Sequence, residues 1–234
     1  MKTWPARSFR ALSVFLFLLL SAGCRHTPDG RQVFLQSEAA LDAVRSFSMH
    51  IENRGEPYWA DAEFACDQDI MRYVTVQGIA NAPSLKTEHI QTANFIFTRT
   101  LEPEAGGWGR SRKPIDPGVC GRLKSPSNQA LPANRYITVD QAGSLPPPFA
   151  FANEQGATIT HQRDELCGGL PCEVWTIRHG VADLDRPETV WISVVDRLPR
   201  RYVEGELDHP ISVVTYAEYG QPFHIQLPPS DVGY

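Results

Sequence analysis

The residues in this 234-residue chain with the most legible chemistry are its five cysteines. Cys24 closes a segment that is first basic, then apolar, then small. Lys2, Arg7 and Arg10 come without an acid, the run ALSVFLFLLL fills residues 11–20, and Ser21-Ala22-Gly23 precede the thiol. That order is a secretory signal, and so short an apolar run cannot hold the segment across a bilayer as a stop-transfer helix. Export places Cys66, Cys120, Cys167 and Cys172 in an oxidising compartment, where an even number reads as disulfides with three possible connectivities. Cys167–Cys172 is favoured because Gly168-Gly169-Leu170-Pro171 reads as a turn that brings its flanks within bridging range, which leaves Cys66–Cys120. Loop entropy makes the short bridge worth ~2 kcal/mol and the long one ~4 kcal/mol. The rival reading is a metal site, but no Cys-x-x-Cys or His-x-x-x-His spacing is present.

No other set of reactive residues forms a pattern. The chain holds no Gly-x-Ser-x-Gly, Ser-x-x-Lys, His-Glu-x-x-His or Gly-rich phosphate loop. His179, Asp183 and Asp185 fall close together, either as metal ligands or as a solvated hairpin turn, and the second reading is favoured. Glu102 and Glu104 sit in a Pro/Gly loop, and His161, His209 and His224 are isolated. The expectation is a protein without catalysis, metal or cofactor.

The setting of Cys24 resembles the lipobox of bacterial lipoproteins. One departure is that leucine, commonest three places before the cysteine, is here Ser21, with Leu20 one place earlier. The resemblance implies that Cys24 is diacylated on sulfur, that residues 1–23 are removed, and that the new amino terminus is acylated. The alternative is a plain signal peptide with a cysteine near its end. Each buried CH₂ contributes about 0.8 kcal/mol, so two or three acyl chains anchor a protein where one does not. Arg25 follows, and in the Gram-negative sorting pattern a residue other than Asp permits transfer to the outer membrane. The implied location is the cell envelope, lipid-anchored to the outer membrane and facing the periplasm.

Without its first 23 residues the chain has 211, and the formal charge of −5 becomes −8, because the segment lost carries three bases and no acid. A body that acidic disfavours nucleic acid and leaves membrane attachment to the acyl chains rather than to a basic patch. Apolar content of 42% with 10% aromatics supports a packed core.

The elements that must position these groups read mainly as strands. Residues 24–36 are polar and suggest a tether, with Ser37 capping a short helix that carries Ala40, Leu41 and Val44 and ends by about Ser46. Residues 37–234 read as one β-rich domain. Met49 and Ile51 alternate with polar residues, as do Ala60, Ala62 and Phe64, and strand signals recur over 71–77 and 89–99, where Phe95 and Phe97 share a face. Residues 101–156 form a Pro- and Gly-rich insert, mostly loop. Within it LPPPFAFA at 145–152 is a connector packed over the core rather than a mobile lid. Strands return over 158–166, 172–178, 188–195, 200–206, 211–219 and 222–227. The fold class is mainly β (α+β): a curved antiparallel sheet or half-barrel wrapped around one or a few short helices.

The lipobox, the helix and strand over 40–51, Gly107-Trp108, Val190-Trp191-Ile192-Ser193, Asp196-Arg197-Leu198-Pro199-Arg200 and Tyr216-Ala217-Glu218-Tyr219-Gly220 together resemble a known layout. It is that of the outer-membrane lipoprotein carrier and receptor superfamily (LolA- and LolB-like) and of the mycobacterial lipid-carrier lipoproteins (LppX- and LprG-like). The resemblance covers most of residues 38–228; the long insert and the four body cysteines depart from its simplest members. It implies a half-barrel with an apolar cavity for acyl chains, and hence a hydrophobic ligand, a lipid or the acyl part of another lipoprotein. The candidate wall residues are Met49, Ile51, Phe64, Phe95, Phe97, Trp175 and Ile177, each of which either lines a cavity or fills a core. The alternative function is an envelope interaction or sensor module of the same fold with a filled core; an envelope hydrolase is the weakest reading.

Overall fold

The computed structural model describes residues 29–54, 57–79, 82–112, 157–178 and 186–229. Residues 1–28 with Cys24, Cys120, most of the Pro-rich insert including 145–152, and His179, Asp183 and Asp185 lie outside the described residues.

One helix opens the described chain. α1 spans Gly30–Asp42, and the Asp29 carboxylate caps it by accepting from the Arg31 amide at 3.1 Å. Val33, Ser37 and Leu41 form a buried stripe at four-residue spacing, with Phe34 beside it. The sequence suggested a tether to residue 36 and a cap at Ser37; the helix instead starts at Gly30, and Ser37 is buried inside it. Pro28-Asp29-Gly30 is a helix start, because an Asp just before a periodic run satisfies the free amides of the first turn.

The rest is an antiparallel sheet. Its strands are β1 (Ser46–Asn53), β2 (Tyr58–Ala65), β3 (Ile70–Ile79), β4 (Ala82–Gln91), β5 (Phe95–Glu102) and β6 (Gly109–Arg112), then β7 (Thr158–Cys167), β8 (Leu170–Arg178), β9 (Glu188–Ser193), β10 (Pro199–Glu206) and β11 (His209–Ala217). The spatial order is β6-β5-β4-β3-β2-β1-β11-β10-β9-β8-β7. Two meanders are therefore zipped together where the first strand meets the last, with Ile51 opposite Val214 and Met49 opposite Tyr216. The result is a curved open sheet with, among the described residues, one helix on its inner face, as the patterning predicted.

Four local readings change. Residues 89–99 are two strands, not one, broken at Thr92, whose hydroxyl accepts from the Phe95 amide at 3.1 Å. β6 lies inside the insert read as loop; its four residues carry no apolar alternation to betray it. The β7–β8 turn is two residues, Gly168-Gly169, at φ 59° and 84°, and Leu170 already pairs with Cys167. Both positions need positive φ, which glycine adopts without a Cβ clash. Residues 222–227 pair with no strand: Glu218 and Gly220, both at positive φ, turn the chain away. The tail then crosses the outer face, burying Ile225 against Ala65, Ile90 and Phe97. Alternation in this tail puts Phe223 and Ile225 against the sheet but leaves Leu227 exposed, and it does not report whether the backbone pairs.

Candidate ligand-binding face

Strand alternation sends every second side chain to the face that carries α1. Register fixes the set: Met49 and Ile51 lie opposite Ala62 and Ala60, Phe64 lies opposite Met71, and Trp175 lies opposite Val190. Together with Val33, Phe34 and Leu41 of α1 they form one continuous apolar cluster. Trp175 meets Phe34 edge-on, with centroids 6.4 Å apart and planes at 79°. Phe47 stacks on Phe64 at 4.4 Å. α1 starts tightly against this surface: a Cβ on Gly30 would stand 2.6 Å from Ile159 and 3.0 Å from Trp175. Only glycine lets the first turn approach so closely.

Of the seven residues named from the sequence, Met49, Ile51, Phe64, Trp175 and Ile177 are brought together here, all buried. Phe95 and Phe97 are not. Phe97 pairs with Ile90, whose side chains face outward, and both phenylalanines belong to the cluster under the C-terminal tail. Spacing told that the two share a face; only register tells which.

At one end of the strands the inner face turns polar. Glu188, Glu204, Ser212, Asn53 and Tyr58 occupy successive cross-strand positions on β9, β10, β11, β1 and β2. The Ser212 hydroxyl donates to Asn53 Oδ1 at 2.8 Å, buried. Glu188 is 7% exposed and hydrogen-bonds Tyr202. Arg186 Nη1 stands 3.5 Å from Glu204 Oε1. Burial, and then the Glu188 charge, raise the Glu204 carboxyl above its ordinary value. Burial likewise holds the Tyr202 and Tyr216 hydroxyls protonated. The face is thus an apolar floor with a polar rim near the start of α1, since Ile159 pairs with Ile177 and Ile177 with Glu188. Sequence reading passed over Glu188 and Glu204; the signal was a Glu in the apolar phase of a strand, readable only once register is known.

The Cys167–Cys172 disulfide is present, between Cα atoms 5.9 Å apart. Cys66 is also disulfide-bonded. Among the described residues no group of His, Cys, Asp and Glu is arranged to hold a metal, and no helix is long and apolar enough to cross a membrane.

No protein-family model and no curated protein matches this chain. Solved structures do. LprF from Mycobacterium bovis superposes with a TM-score of 0.54 at 19% identity, covering 88% of this chain and 99% of that one. The Mycobacterium tuberculosis lipoprotein LppX gives 0.49 at 16% identity, over 86% and 100%. A LolA superfamily protein from Nitrosomonas europaea gives 0.30 at 8% identity, over 89% and 99%. At 19% identity the likeness to LprF is one of fold. That shared fold is a curved open antiparallel sheet with a helix on one face, the half-barrel that the sequence patterning predicted.

Proposed function

We propose that this chain is a lipoprotein anchored through acylated Cys24 that binds a hydrophobic ligand, a lipid or the acyl part of another lipoprotein, between its inner face and α1. The observation that carries the reading is the continuous apolar cluster over the two meanders, covered among the described residues by α1 and bordered by a polar rim. An acyl chain buried there gains about 0.8 kcal/mol per CH₂, less the cost of parting α1 from the sheet. Binding is burial without chemistry: the protein takes no cofactor, does not bind nucleic acid, and works by opening and closing. Cys66–Cys120 is the second staple of the body. The anchor and Arg25 place the protein at the outer membrane, facing the periplasm.

Native mass spectrometry and lipid extraction of the purified full-length protein test the reading. Co-purifying lipid, reduced when Ile51 and Ile177 are changed to Gln, is the expected result. A protein that is empty in every preparation and takes up no fatty acid would refute it. Cys24→Ala is expected to abolish incorporation of radiolabelled palmitate and to release the protein from membranes; incorporation unchanged would remove the anchor from the account.

A further inference from the structure

The outer face of β1, β2 and β3 carries a groove of about 540 Å³, on the side of the sheet away from α1. Pro57, Trp59 and Val76 make its apolar wall, and His50, Glu52 and Asp61 supply the polar groups. His50 is held between two carboxylates, Nδ1 at 2.6 Å from Asp61 Oδ1 and Nε2 at 3.4 Å from Glu52 Oε1. Burial lowers the imidazole pKa, and the two carboxylates more than reverse this, leaving it above its ordinary value. Arg54 Nη2 stands 3.6 Å from Glu52 Oε2. The Trp59 ring lies 6.2 Å from the imidazole, tilted by 32°. The end of the groove is closed by a backbone contact, Gly78 N–H to Pro57 carbonyl at 2.6 Å; a Cβ on Gly78 would fall 2.6 Å from the Pro57 ring.

Charge narrows what this groove can take. Glu52 and Asp61 are engaged by His50 and Arg54 and repel an anion, so neither a cation nor an anion gains much there. The charged side chains remain roughly half exposed, and their hydrogen-bonding atoms are pinned at fixed positions around an indole. A pocket of this size, with an aromatic wall and a few convergent donors and acceptors, suits a neutral ligand of drug-like dimensions. Its ideal guest has an apolar face for Trp59 and hydroxyls at the edge, donating to the carboxylates and accepting from the Arg54 guanidinium. The geometry points to a saccharide-binding site here, taking pyranose units of a neutral oligosaccharide. It is independent of the hydrophobic-ligand reading, because the two sites lie on opposite faces of the sheet.

The test is calorimetric titration of the full-length protein in detergent with maltotriose and with the β-1,4-linked trimer of N-acetylglucosamine, beside choline and inorganic phosphate. The expected result is saturable binding of at least one trisaccharide and of neither ion. Trp59→Ala should weaken that binding at least about tenfold, and Trp59→Phe less, with the unfolding midpoint kept. Should Trp59→Ala fail to fold, Asp61→Asn, at an exposed position, should weaken binding in the same direction. No saccharide binding, preferential binding of choline or phosphate, or saccharide binding indifferent to both variants would each overturn the proposal.

Discussion

The inner and outer faces of this sheet are built from alternate residues of the same strands, yet they are organised differently. On the inner face apolar side chains from β1–β3 and β8–β11 join α1 in one cluster, and two acids, Glu188 and Glu204, lie directly opposite each other at its rim. On the outer face the apolar residues split into two patches, one around Trp191 and Cys172 and one around Ile90 and Phe97. Between and beside them charge is paired: Glu88 accepts from Arg72 Nε at 2.7 Å and Arg99 Nε at 2.6 Å, and Arg99 and Arg201 lie over Trp108 and Trp191. Like charges opposite each other destabilise a sheet, while Arg–carboxylate networks are how a polar face keeps its acids in place. The contrast teaches that the inner face is a packed apolar surface covered by α1 and the outer face one structured against water.

The sharpest way to break that comparison is to cut one large side chain from each face. Trp175, 2% exposed and locked against Phe34, should cost about 3–5 kcal/mol when changed to Ala, read from urea unfolding. Phe97→Ala should cost less, about 2 kcal/mol, because the tail around Ile225 can settle into the space. Equal losses would mean that the outer patch is as much a core as the inner one.

Charge on the outer face gives the next effect. Glu88→Gln removes the charge and one of the two acceptor oxygens that hold two guanidinium groups, from a carboxylate that is 4% exposed. Both arginines are 39% exposed and can regain water, so the loss is about 2 kcal/mol near neutral pH, below that of a sealed pair. Burial pushes the Glu88 carboxyl up, but Arg72 and Arg99 outweigh it and leave its pKa below 4.5. The stability it contributes is therefore full above 4.5 and lost as pH falls through the lower folded value. Wild type and Glu88→Gln should converge in acid; parallel curves would show that the network is not the cause.

The disulfide ranks with it. Cys172 is buried in the outer patch with Val174 and Trp191, and Cys167→Ser with Cys172→Ser should cost about 2 kcal/mol by loop entropy. Under reducing conditions the difference from wild type should vanish. A loss that persists there belongs to packing of Cys172, not to the bridge.

How much of this was legible beforehand follows from what period-two patterning encodes. The strands over 46–53, 58–65 and 172–178 were plain because Met49, Ile51, Phe64, Trp175 and Ile177 alternate with polar residues, and alternation is what a half-buried strand produces. The side of the sheet on which Phe95 and Phe97 lie was not, since it depends on the pairing of Ile90 with Phe97, a fact about two strands and not one. The helix start was missed because Asp29 looks like a loop residue until its cap is seen. The tail was read as a strand because Phe223, Ile225 and Leu227 have the right rhythm, and rhythm is silent on backbone partners. Glu188 and Glu204 fell outside every motif: a buried polar rim assembled from five strands leaves no local signature.

The smallest effect probes that rim and has the opposite sign to Glu88. Burial and the neighbouring Glu188 raise the Glu204 carboxyl above 4.5, with Arg186 opposing. The folded protein therefore keeps a proton over a pH range in which the unfolded chain has lost it, and stability falls as pH rises through the folded value. Glutamine has the shape of the protonated acid without the charge. Glu204→Gln should match wild type below about pH 4.5 and be more stable above the folded pKa, by about 1 kcal/mol or less, since the Arg186 contact at 3.5 Å is lost. Thermal melts across pH of both glutamine variants should thus part from wild type in opposite directions, Glu88→Gln downward and Glu204→Gln upward. If Glu204→Gln is destabilised at every pH, the rim carboxylate is a well-compensated structural charge, and the inner face is no less satisfied than the outer.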